Sequence, residues 1–185
     1  MDIEIKPLST DVIDDFLYFF DKIGFVDNPD WASCYCQFYH FNGSREDWLK
    51  TTKEQNRDAS IELIRSGKMK GFIAYVEGKP IGWCNANSRE NYLNLPYTSD
   101  RKNKGISLVC FLISHHHRRA GIAKMLLRYA CQYYKNNGYD YIEVYPRKNV
   151  SSDAHNYHGP YSLFISEGFS IISELEQFYV MQKDL

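Results

Sequence analysis

Long apolar runs are missing from the 185-residue sequence. None approaches the roughly 18 residues that a helix needs to cross a bilayer, so no membrane span and no membrane partner are expected. A basic excess is missing too: 22 Lys and Arg stand against 23 Asp and Glu, a formal charge of −1. Nucleic-acid binders carry a basic face or stripe. Here the densest basic run, residues 115–119 with Lys124 after it, is short and suits a small polyanion better than a nucleic-acid backbone. Repeats, low-complexity tracts and Pro/Gly/Ser-rich linkers are also absent, so no boundary is marked and residues 1–185 read as one domain. Cysteines are few and odd in number: Cys34, Cys36, Cys84, Cys110 and Cys131. Residues 1–6 are polar and charged, unlike a secretory leader, and the expectation is a cytoplasmic protein with reduced thiols. Cys34 and Cys36 stand one residue apart with no second pair to complete a ligand set. Three consecutive histidines, His115, His116 and His117, cannot all face one ion. No metal is expected.

Aromatic residues are plentiful, with 15 Tyr and 11 Phe, which supply large buried area and polar handles for a cleft. Residues 3–7 alternate as a first strand. Ser9 and Thr10 offer a helix cap, and Val12, Ile13, Phe16, Phe19, Phe20 and Ile23 follow at helical spacing until Gly24. Residues 26–41 are irregular and aromatic-rich. Ser44 with Asp47 resembles a capping box for a helix reaching Ser66. Residues 69–76 and 80–85 read as a hairpin around Glu77-Gly78. A polar connection spans 90–104, a length unusual for a loop without function. Residues 106–113 are almost continuously apolar, as in a strand buried on both faces. A helix follows with Ile122, Met125, Leu126, Tyr129, Ala130 and Tyr133 on one face, closed by Asn136-Asn137-Gly138. Residues 139–145 form a strand, a short helix lies between Pro160 and Gly168, and residues 169–183 complete the sheet, as two short strands.

The turn between the apolar strand and its helix is where chemistry is expected. The first amides of a helix lack intrahelical partners, and the helix dipole adds about half a positive charge there. Small residues at Ala120, Gly121 and Ala123 allow close approach to the backbone, and Arg118, Arg119 and Lys124 add charge. The sum is an anion site suited to a pyrophosphate. A nucleotide P-loop requires Gly, four residues, then Gly-Lys-Ser/Thr, which is not present. A dinucleotide fingerprint requires three glycines after the first strand of the fold, and this turn has one glycine, late in the chain.

Arg118, Gly121 and Ala123 instead stand in the spacing Arg/Gln-x-x-Gly-x-Gly/Ala, and the chain resembles the GNAT (Gcn5-related N-acetyltransferase) superfamily. The order of elements and the late Gly168-Phe169 extend the resemblance over essentially the whole chain. It implies an α/β (α+β) fold: a single GNAT-like domain with a mixed, mostly antiparallel, splayed sheet flanked by helices. It implies acetyl-CoA as co-substrate, with the pyrophosphate on the amides of Arg119, Ala120, Gly121, Ile122 and Ala123 and the pantetheine along the strand edge near Leu112 and Ile113. It implies transfer of an acetyl group to an amine acceptor by direct attack. The family's usual proton donor, a Tyr in the last helix, is Phe164 here, and Tyr161, one turn earlier, is the substitute expected. Trp31, Cys34 and Tyr35 are expected in the acceptor pocket, whose aromatic character favours a small molecule. Two alternatives stay open: an acyl-CoA-binding domain without catalysis, and a protein N-acetyltransferase. A homodimer also stays open, dimers being the commonest soluble oligomers.

Overall fold

The computed structural model describes residues 2–97, 101, 104–150, 152 and 154–185. After strand β1 (Glu4–Pro7), a 3₁₀ turn (Thr10–Val12) leads into α1 (Ile13–Tyr18), whose last turn widens to a π-turn (Phe19–Ile23). Of the apolar stripe expected there, Phe16, Phe19 and Phe20 are buried and Val12, Ile13 and Ile23 half-buried, with Leu17 buried beside them. The single helix expected over 44–66 is two. α2 (Arg45–Trp48) starts at the Ser44–Asp47 capping box, and α3 (Lys53–Arg65) starts at a second box in which Thr52 and Gln55 exchange side-chain and backbone bonds. Two adjacent start signals break one helix, because each cap demands an extended residue, with ψ 166° at Ser44 and 163° at Thr52.

β2 (Gly71–Val76) and β3 (Lys79–Ser88) form the hairpin, with positive φ at Glu77 and Gly78 in the turn. β3 runs three residues beyond the 80–85 expected, because Ala86, Asn87 and Ser88 pair with β4 (Gly105–Ile113). Part of the 90–104 connection lies outside the described residues. Then come α4 (Ile122–Asn136), β5 (Tyr141–Val144), α5 (Tyr161–Ser166), β6 (Ser170–Glu174) and β7 (Tyr179–Asp184). The sheet order is β1-β2-β3-β4-β5-β7-β6, and β4–β5 is the parallel pair in an otherwise antiparallel ladder. The mixed, mostly antiparallel sheet expected is thus present. α4 buries Ile122, Leu126, Leu127, Ala130 and Tyr134, while Met125 stays 39% exposed. The contact stripe is rotated slightly from the 122/125/129/133 row, as happens when tilted side chains cover the turn before their own Cα.

Two cores sandwich the sheet. Phe72, Leu108, Phe111, Leu126, Leu127 and Phe164 belong to the core under α4 and α5. Phe16, Phe20, Tyr35, Ile64 and Trp83 belong to the core under α1 and α3. A smaller cluster of Tyr39, Tyr92, Val109, Tyr145 and Val180 lies beside the parallel pair. Positioning of the site depends on that pair. β4 and β5 stay in register only from Gly105↔Tyr141 to Leu108↔Val144, whereas β4 runs on to Ile113. In the β3 ladder, Asn85 faces Cys110 and Ala86 faces Leu108, which leaves Val109 as a bulge at the point of divergence. Bulges bend a strand and re-aim its remaining residues. Beyond this one, the Ser114 amide donates to Ile81 of β3 (2.9 Å), and the Phe111 amide points the other way, into the gap.

Candidate active site

The floor of the gap is the far half of β4. By strand alternation the backbone of Ile113 faces the same side as that of Phe111, while Leu112 turns its backbone toward β3, where it is registered with Trp83. Ile113 thus lies on the open edge, and Leu112 does not. Leu112 turns its side chain toward Gly24 at the end of the first helical segment. The Phe111 amide is not vacant: the Tyr157 carbonyl accepts it at 2.6 Å. The segment before α5 therefore wedges into the divergence.

At its far end β4 passes through a 3₁₀ turn (His115–His117) into the anion loop. Arg119 has φ 62° and Gly121, the N-cap of α4, has φ 82°. Left-handed residues in a turn gather successive amides into a concavity for anions. A non-glycine residue at Gly121 is strained by its φ, yet an added Cβ would meet nothing within 4 Å. The space in front of the loop is open, as a diphosphate requires. Ala120 and Gly121 are exposed, Ala123 half-buried and Ile122 buried beneath them.

The flanking cations differ from the expectation in one respect. Arg118 forms a two-pronged pair with Asp27 (2.5 and 2.9 Å) and donates to the Ile113 carbonyl (3.2 Å). That guanidinium holds the Asp27 carboxyl below its usual range. Lys124 is paired with Glu167 at 2.9 Å. Both charges are matched within the chain. In the histidine run His117 is bonded to Ser114 (2.6 Å) and His115 faces Asp27 (3.3 Å); no group of three metal-ligating side chains occurs among the described residues.

Aromatic side chains wall the gap. Trp31 meets His155 and Tyr157 edge-on at 5.2 and 5.6 Å, so it does reach the wedge segment. Tyr35 does not: it is fully buried, stacked on Phe20 with its hydroxyl donating to Asp21, and it packs the core instead of lining a pocket. Cys34 lies between them in sequence, its thiol pushed up to about 12 by burial. Next to it, Cys36 accepts a hydrogen bond from Asn85 on β3 at 3.3 Å. Tyr161 rests its ring on Tyr179 (5.1 Å), is 38% exposed, and has no hydrogen bond to its hydroxyl among the described residues. Phe164 is fully enclosed between Phe111 and Phe169.

Two hydrogen-bonded arrays join residues whose partners the sequence does not indicate. Glu143 on β5 is fully buried and paired with Arg89. The Tyr145 hydroxyl donates to Glu143 at 2.6 Å and lies 2.7 Å from the Ser107 hydroxyl. Burial, and then Glu143 itself, push the Tyr145 phenol far up. A second array is His158, fully enclosed, with Nε2 3.1 Å from the Tyr39 hydroxyl. Burial first, then Arg147, push it down to about 3, so the ring is neutral at physiological pH. The available signal for Glu143 was its place in a strand flanked on both sides, where no residue reaches water.

Comparison with known proteins agrees with this geometry. The model of the Acetyltransferase (GNAT) family matches residues 30–159. No curated protein matches the sequence significantly. Among solved structures, the PaiA N-acetyltransferase from Thermoplasma acidophilum in complex with coenzyme A is 18% identical, with 100% of each chain covered and a TM-score of 0.59. An N-acetyltransferase from Staphylococcus aureus is 14% identical over 100% of this chain and 99% of that one, with a TM-score of 0.58. The ribosomal-protein-S18-alanine N-acetyltransferase from Escherichia coli is 13% identical over 99% and 94%, with a TM-score of 0.52. At such identities the likeness speaks for the fold, while the family model spans well over half of the sequence, and the chain belongs to the GNAT acetyltransferase family.

Proposed function

We propose that this chain, as one domain, transfers an acetyl group from acetyl-CoA to the amine of a small-molecule acceptor. The observation that carries the reading is the divergence of β4 from β5 past Leu108↔Val144, followed directly by an open, left-handed anion loop at 119–121. The amides of Arg119 to Ala123 would hold the diphosphate, and the β4 edge at Phe111 and Ile113 would take the arm. When bound, the co-substrate supplies an activated thioester.

The chain's own task is to manage protons and exclude water. An alkyl ammonium near pKa 10.4 must lose its proton before it attacks, a cost of about 4 to 5 kcal/mol at pH 7. The Ser107–Tyr145–Glu143 array, enclosed at the last β4–β5 pairs and paired with Arg89, braces the strands where they diverge. Phe164 has no hydroxyl to give the departing sulfur a proton. Tyr161, whose hydroxyl has no hydrogen bond among the described residues, is the donor assigned. Walls built from Trp31 and Tyr157 favour a small acceptor over a peptide groove.

Thermal denaturation with acetyl-CoA, and with NAD as control, tests the cofactor. Saturation at a hundred times the dissociation constant raises apparent stability by about 2.7 kcal/mol. No shift with acetyl-CoA refutes the reading. The buried Phe164 also suits a domain that binds acyl-CoA without catalysis. A shift without acceptor-dependent thiol release across an amine panel would establish that second reading instead.

A further inference from the structure

Past the end of β5 the chain places Arg147, bridged to Phe178 next to β7. Its guanidinium lies 5.0 Å from the Phe178 ring and 5.8 Å from the Tyr157 ring. Tyr157 is the residue whose carbonyl takes the Phe111 amide on the open edge of β4, and whose ring meets Trp31. One aromatic ring therefore separates this cation from the strand edge where transfer is proposed.

Arg147 differs from the other cations of the region. Arg89 has Glu143, Arg118 has Asp27, Lys124 has Glu167 and the neighbouring Lys148 has Glu174 at 3.0 Å. Arg147 makes no side-chain hydrogen bond or ion pair with the described residues, and its Nε is enclosed and unpartnered. The rings hold the guanidinium by stacking, a role for which its flat, weakly hydrated face is suited. A half-buried cation with unmet donors favours an anion, and the planar fork matches an oxyanion in two-pronged geometry. The charge decides between oxyanions. Lys148 is already neutralised, so the site offers one positive charge. A carboxylate matches it, while a phosphomonoester brings about 1.5 to 2 negative charges. Nearby His158 adds none, being neutral.

We infer that the acceptor is an amine that also carries a carboxylate, of the amino-acid type, and that Arg147 binds that carboxylate beside the β4–β5 gap. Arg147 is then a specificity-determining residue. The inference rests on the transfer reading above.

The test uses the full chain and two readouts. In the first, acceptor-dependent thiol release from acetyl-CoA is measured with L-amino acids, their carboxamides, the decarboxylated amines and phosphoethanolamine. The free acids are expected to have kcat/KM about 10- to 100-fold above the carboxamides. Arg147→Met, which keeps the packing between the rings, is expected to erase that preference and to leave KM for acetyl-CoA within about twofold. Arg147→Lys, with charge but no fork, restores part of it. Equal use of acids and carboxamides by the unaltered chain, preference for phosphoethanolamine, or a loss in R147M confined to acetyl-CoA overturns the inference. The second readout is saturation-transfer NMR of N-acetyl amino acids against their carboxamides, without CoA. Acid-selective binding lost in R147M supports the carboxylate site even if no turnover occurs. Acetyl-CoA stabilisation with no such selectivity overturns the site and leaves the transferase reading intact.

Discussion

Arg89→Met is the substitution whose consequence can be worked through most completely. Arg89 is 15% exposed at its side chain and Glu143 is 0% exposed. Removing the guanidinium leaves a carboxyl with the Tyr145 hydroxyl as its remaining hydrogen-bond donor in an enclosed strand. Breaking a buried pair from one side costs about 3 to 5 kcal/mol. Urea denaturation of both proteins at pH 7 measures it, with an expected deficit of about 3 to 5 kcal/mol. Glu143→Gln added to Arg89→Met should recover part of the loss, because a neutral amide then replaces the unpaired charge. A deficit below about 1 kcal/mol refutes the picture of a buried carboxylate held by Arg89.

Other outcomes are equally concrete. Gly121→Ala should lower stability by about 1 to 2 kcal/mol through the left-handed backbone alone and leave acetyl-CoA binding detectable by calorimetry. Gly121→Glu should abolish that binding while the circular dichroism stays native; retained affinity would remove the loop from the cofactor site. Glu167, held down to about 2 by Arg128 and then Lys124, gives stability that is present above its unfolded value near 4.5 and is lost as pH falls through about 2. Glu167→Gln should flatten the acid limb of a melting-temperature profile, and an unchanged limb would show the pairs to be ineffective. Tyr161→Phe should lower kcat by roughly 10²-fold with KM for acetyl-CoA unaltered, and full activity would exclude its hydroxyl from proton delivery.

The parts of the molecule readable beforehand were those with local signals. The apolar run before His115 and the stripe through Leu126 and Ala130 announced β4 and α4, and the small residues at 120–123 announced the loop between them. Thr52 and Gln55 are just as local, and their box splits into α2 and α3 what the Ser44 box alone predicts as one helix. The remaining differences are long-range. Nothing near Glu143 in sequence names Arg89, 54 residues away. Asp27 and Arg118 meet only after the whole sheet is assembled, across 91 residues. Tyr35 and Trp31 are alike in composition, and the packing of α1 against α3 alone decides that one is enclosed and the other reaches Tyr157. Loop residues between aromatic neighbours have no periodicity from which a facing direction can be read.

The bond from the Phe111 amide to the Tyr157 carbonyl has a kinetic corollary. It leaves no unmet donor on that strand position, so an incoming arm exchanges one hydrogen bond for another and gains little from it. Tyr157 must first withdraw, and its ring touches both Trp31 and the Arg147 guanidinium. On the proposed function, occupancy of the β4 edge and the position of the acceptor walls are therefore coupled through one residue, Tyr157.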